Sequence, residues 1–143
     1  MYNSLVITPN TDYQSYRGNP EIRSIEIMPG SNVPPYAFSQ CTSLDKITIH
    51  DNVIVKNCAF FNCTNIKTIN IKNNVTLGVS SFQNSTAITT LRLGDNCITK
   101  SSAFSHSGLQ ELRAGKSCDF GHMSFFSCLN LLSVKLSSHT IIG

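Results

Sequence analysis

The side chains best equipped for chemistry are six cysteines, Cys41, Cys58, Cys63, Cys97, Cys118 and Cys128, and four histidines. A zinc site would draw on Cys118, His122 and Cys128, with His106 upstream. The Cys118–His122 spacing is not one that zinc sites use, and no second tight pair accompanies it. Nucleophilic catalysis would need a serine presented on a sharp strand-to-helix turn, and no G-x-S-x-G occurs. No glycine-rich phosphate loop is present either. The acids Asp45, Asp51, Asp95, Glu111 and Asp119 are too scattered to pair as general acid and base. Neither an enzyme nor a bound metal or other cofactor is expected.

Three sequons, at Asn62, Asn74 and Asn84, are candidate N-glycosylation sites. With 14 asparagines and 31 serines and threonines, about three sequons arise by chance, so only their placement is informative. The same composition, with 13% charged residues and a net charge of +3, gives a polar surface of mostly neutral hydrogen-bonding groups. Nucleic acid is not an expected partner, since that calls for a clustered basic face. No apolar run approaches the roughly 20 residues of a membrane helix. Leu5–Ile7 is too short for a signal peptide core and lacks a basic flank. That fits a chain not secreted by the standard route, or a mature or excised form.

What positions these residues is a repeat. Aromatics stand at Tyr16, Phe38, Phe60, Phe82, Phe104 and Phe125, spaced by 22 residues and finally by 21. Three residues after each come Asn19, Cys41, Cys63, Ser85, Ser107 and Cys128. Aliphatic residues follow at Ile22, Leu44, Ile66, Ile88, Leu109 and Leu131, and then an I-x-I pair such as Ile69 and Ile71. Period-2 alternation predicts a short strand with one buried face. A second apolar pair, such as Val53 and Val55, follows a turn of Asn, Asp and Gly residues. The stretch around each aromatic is too short for a long helix and reads as a single helical or 3₁₀ turn.

A 22-residue unit cannot bury its own apolar side chains, so the units must stack. Residues 1–143 are expected to form a single domain, a β-rich solenoid of about six coils. In such a stack most cysteines pack inward as small hydrophobes. Disulfides between neighbouring coils, Cys41 with Cys63 and Cys97 with Cys118, are the alternative, since rung spacing suits the bond.

The pattern of Ala59-Phe60-Phe61-Asn62-Cys63-Thr64-Asn65-Ile66, and of Tyr36–Leu44, resembles the BspA-like class of leucine-rich repeats. The resemblance runs from about Ser15 to Ile142. The chain departs from the class where Ser85 and Ser107 replace cysteine, where Ala114 replaces a large apolar residue, and where proline after I-x-I is missing except for Pro29. The resemblance implies a right-handed leucine-rich-repeat coil and an extracellular or cell-surface protein associated with adhesion. Such a scaffold binds a protein or glycan ligand, without the fold fixing which.

The solvent side of the strands carries Lys46, Lys72, Arg92, Arg113 and Lys135, the expected partner-binding face. The ends of the stack show no polar capping unit, although a solenoid needs one. Leu5 and Ile7 at one end, and Leu136, Ile141 and Ile142 at the other, are then candidate end-to-end contacts. The chain is either part of a longer array or a subunit that stacks head to tail into a filament.

Overall fold

A computed structural model describes residues 3–13 and 16–143. Ser15, where the repeat resemblance begins, lies outside them. Each coil contributes one four-residue strand. These are β1 (Ser4–Ile7), β2 (Ser24–Ile27), β4 (Lys46–Ile49), β6 (Thr68–Ile71), β8 (Thr90–Leu93), β10 (Glu111–Ala114) and β12 (Ser133–Leu136). They pair in parallel and in that order as a seven-stranded sheet. In each coil from β2 onward the second apolar pair forms a two-residue strand: β3 (Asn32–Val33), β5 (Ile54–Val55), β7 (Thr76–Leu77), β9 (Ile98–Thr99), β11 (Asp119–Phe120) and β13 (Ile141–Ile142). These build a second parallel sheet of six strands.

The core lies between the sheets and the aromatic side. Ile25, Ile27, Ile47, Ile49, Ile69 and Ile71 point into it from the first sheet, and Val33, Val55 and Leu77 from the second. The aromatics form one continuous ladder. Ring centroids from Tyr16 through Phe38, Phe60, Phe82 and Phe104 to Phe125 are 5.3, 5.2, 4.9, 5.2 and 5.9 Å apart. Neighbouring rings are within 9° of parallel. That spacing suits offset stacking.

The aromatic segment is a chain of tight turns rather than a helix. Ala37, Ser39 and Cys41 each donate their N–H to the carbonyl three residues back. Residues two before and two after each phenylalanine anchor, such as Cys58 and Asn62, have φ near +60°. A left-handed residue at each end of a five-residue stretch prevents a helix from propagating. The freed N–H groups turn to the next coil instead: Cys58 donates to Val79, Phe60 to Ser81 and Asn62 to Gln83. A third left-handed position follows the first strand, at Gly30, Asn52, Asn74, Asn96, Ser117 and His139. Three such corners per coil fold each unit into three hydrogen-bonded sides.

Two irregularities have local causes. The missing residue between Phe104 and Leu109 draws Gly108 onto the preceding coil. A Cβ on Gly108 would lie 2.2 Å from the Thr86 carbonyl oxygen, so only glycine fits. At the N-terminal end β1 supplies a seventh rung, pairing Leu5 with Ile25 and Ile7 with Ile27. Tyr13 packs edge-on against Tyr16 and Phe38, 6.2 and 6.0 Å between centroids. Ile7 is fully buried.

Because Phe60 is sandwiched between two rings, Phe60→Ala should cost about 3–5 kcal/mol in urea unfolding. Phe61→Ala, at the half-buried neighbouring position, should cost clearly less.

Candidate functional site

The outward residues of the seven-stranded sheet align in columns fixed by the strand register. The central column reads Glu26, Thr48, Asn70, Arg92, Arg113 and Lys135, each directly opposite the next. Lys46 lies in the flanking column beside Ser24 and Thr68, and Lys72 follows the end of β6. All five basic residues expected on this face are exposed on it. Only Arg92, Arg113 and Lys135 are direct neighbours across strands.

Charges of one sign on adjacent rungs, about 4.8 Å apart, repel one another. One carboxylate offsets them. Glu111 accepts a hydrogen bond from Arg113 Nε on its own strand. That bond holds the Glu111 carboxyl below its ordinary value, helped by the charges of Arg113, Arg92 and Lys135. At the other end of the face His50 Nε2 donates to Glu26 Oε1 at 2.8 Å, across neighbouring strands. The sheet is thus cationic toward β12 and charge-balanced toward β2.

Five cysteines form two inward columns, Cys58 stands at a corner outside them, and all six are free thiols. Cys41, Cys63 and Cys128 donate to the carbonyls of Tyr16, Phe38 and Phe104, at 3.0, 3.1 and 3.3 Å. Cys97 and Cys118 donate to those of Lys72 and Gly94, at 3.2 and 3.3 Å. Each thiol thus bonds the backbone one coil back. Burial pushes the Cys63 thiol up to about 12, with Cys41 adding to it, and the Cys97 thiol up to about 11. The Cys41 and Cys118 thiols are also raised, chiefly by burial. Such thiols are weak nucleophiles and weak metal ligands, since both roles need the thiolate. Cys118 is buried while His122 and His106 are exposed. Among the described residues no three His, Cys, Asp or Glu side chains converge on a metal-sized site. None forms a helix long and apolar enough to cross a membrane.

The three sequon asparagines differ. Asn84 Nδ2 donates to Asn62 Oδ1 at 2.6 Å, and both are half-buried. Asn74 stands exposed at a left-handed corner. The two ends also differ. Leu136, Ile141 and Ile142 are exposed, the last two by 61% and 70%, and Leu136 and Ile142 border an apolar recess of about 270 Å³ over Leu112, Phe120 and Phe125. At the other end Leu5 is half-buried and Ile7 is core, so Ile7 offers no surface for an end-to-end contact. At that end Tyr13 packs edge-on against Tyr16 and Phe38, a contact that the short apolar stretch Leu5–Ile7 did not signal.

Two outcomes follow from these environments. Arg113→Gln should move the Glu111 carboxyl up toward its ordinary 4.5, read by NMR titration of the side-chain carboxyl carbon. The buried thiols favour their neutral form in the folded state and titrate near 9.0 when unfolded. Their contribution to stability is therefore complete below pH 9 and is lost as pH rises toward about 12. Urea unfolding across that range should show a fall that Cys63→Ala, whose own stability is lower, displays to a smaller extent.

Residues 31–143 match the family described as "BspA type Leucine rich repeat region", in six copies. No curated protein matches the chain. A leucine-rich repeat protein from Bacteroides ovatus, solved by crystallography, aligns over 93% of this chain and 69% of its own at 14% identity, with a TM-score of 0.34. With the family match spanning most of the sequence and every coil built on its repeat, the chain belongs to the BspA-type leucine-rich repeat family.

Proposed function

We propose that the chain is a non-catalytic binding scaffold whose seven-stranded sheet docks an anionic protein or glycan partner. The observation that carries this reading is the column Arg92, Arg113 and Lys135, three cations on consecutive rungs with Glu111 as their neighbouring acid. Folding alone gains nothing from placing like charges face to face. An anionic partner relieves that repulsion on all three rungs at once. The rigid sheet holds the side-chain stems in register before the partner arrives, which lowers the entropy lost on binding. Attraction of this kind weakens as salt rises.

Membership of the BspA-type family, whose members are often secreted or surface proteins, supports a setting outside the cell or on its surface for this activity. In that setting Asn74 is the sequon that accepts a glycan without disturbing the Asn62–Asn84 bond.

The 143-residue chain also supports a second reading, assembly into a filament through its ends. The exposed Leu136, Ile141 and Ile142 favour it. The buried Ile7 at the opposite end leaves less apolar surface to receive them.

Retention on an anionic matrix such as heparin should fall sharply in Arg92→Glu/Arg113→Glu, with the circular dichroism spectrum unchanged. Equal retention removes the basic column as the binding face. Light scattering tests the second reading, since a monodisperse monomer at high concentration rules out the filament.

A further inference from the structure

The first sheet is regular at five of its six joints and open at one. At the regular joints the carbonyl just before one strand accepts two consecutive N–H groups from the next coil. Asn3 accepts from Arg23 and Ser24, Arg23 from Asp45 and Lys46, and Asp45 from Lys67 and Thr68. Thr89 accepts from Gln110 and Glu111, and Gln110 from Leu132 and Ser133. At the joint between β6 and β8 the equivalent carbonyl is Lys67 and the equivalent donors are Thr89 and Thr90. Among the described residues those two backbone bonds are not formed. The strand pairing there shrinks from four residue pairs to two, Asn70 with Arg92 and Ile71 with Leu93. The parted strand starts border a cleft of about 350 Å³ that reaches down to Ile69.

The chemistry of this cleft is specific. Two adjacent amides that elsewhere in the sheet converge on one oxygen are left without it, and peptide groups removed from such partners need others. Lys67 and Arg92 line the same cleft and supply positive charge. An oxygen placed there is bonded by two N–H groups and faces two cations, which suits a carboxylate. The unused Lys67 carbonyl calls for a donor from the same ligand. Thr68, Thr89, Thr90 and Asn70 also line the cleft, and Ile69, whose side chain points into the core, is its one apolar residue. A ligand that carries a carboxylate and is otherwise covered with hydroxyls matches this lining. A peptide, with apolar side chains to place, does not.

We propose that the open joint between β6 and β8 is a binding site for an acidic sugar of the hexuronate type. Thr89 and Thr90 amides, Lys67 and Arg92 take its carboxylate, and the Lys67 carbonyl and threonine hydroxyls take its ring hydroxyls. The proposal rests on the reading of this sheet as the binding face and names a place and a ligand class on it.

The test is titration of ¹⁵N-labelled protein with a galacturonate trisaccharide. Saturable shifts of the Thr68, Thr89 and Thr90 amides are expected, with none from galactose or from an aspartate-rich peptide of equal charge. Lys67→Gln and Thr90→Val, both with unchanged circular dichroism, should each weaken the titration at least fivefold. Arg113→Gln, outside the cleft, should leave it within twofold. No saturable shift, or equal shifts from the acidic peptide, overturns the proposal. If the titration fails while heparin retention still depends on Arg92 and Arg113, the acidic-sugar site alone is wrong. If both fail, the sheet is not the binding face.

Discussion

Each side chain in this protein must fit against its own counterpart one coil away. The stacked rings from Tyr16 to Phe125 express that constraint most plainly, because two flat rings at about 5 Å tolerate little change in spacing or tilt. The same distance separates paired strands, so rings and sheets enforce one another. It also fixes the coil length. Where a residue is lost before Leu109, the chain keeps the rung spacing and passes so close to Thr86 that Gly108 cannot carry a side chain.

The backbone accommodates this constraint at a cost. Among the described residues, fifteen other than glycine adopt positive φ, a conformation unfavourable by about 1–2 kcal/mol for most side chains. Five of them, Asn52, Asn62, Asn74, Asn84 and Asn96, are asparagine, the residue that bears it best. Each of these corners before the last coil turns its N–H toward the next coil, as Asn52 does to Asn73, so hydrogen bonds between coils offset the strain. The thiols serve the same economy. Cys41, Cys63 and Cys128 fill a narrow apolar column yet still donate to a carbonyl, which an alanine there would leave unbonded.

With the interior committed to packing, chemistry is left to the outward columns and to places where the stack is imperfect. The Arg92–Arg113–Lys135 column and the open joint at Lys67 and Thr89 are both of this kind. In one, charge is arranged against the interest of folding. In the other, backbone groups are withheld from it. Both lie on the outer face of the seven-stranded sheet, where Arg92, Arg113, Lys135 and Thr89 are exposed.

The sequence determined a great deal here because a repeat makes local pattern and global fold the same statement. Six columns at a fixed period specify which residues face inward, which strands pair and which basic side chains stack, and the strand register agrees residue by residue. Left undetermined were features in which equivalent positions behave differently. Thr89 and Thr90 resemble Lys67 and Thr68 as strand-start residues, yet one pair bonds the preceding coil and the other does not. Asn62 and Asn84 read as exposed sequons, yet the stack ties them to each other. Leu5 and Ile7 read as an open end, yet Ile7 is fully buried, and Tyr13 packs edge-on against Tyr16 and Phe38 at that end. Periodicity records what each coil shares with the next. Only the packed structure decides how far each joint closes and what packs at the first rungs, since those depend on contacts between coils that a column of letters does not contain.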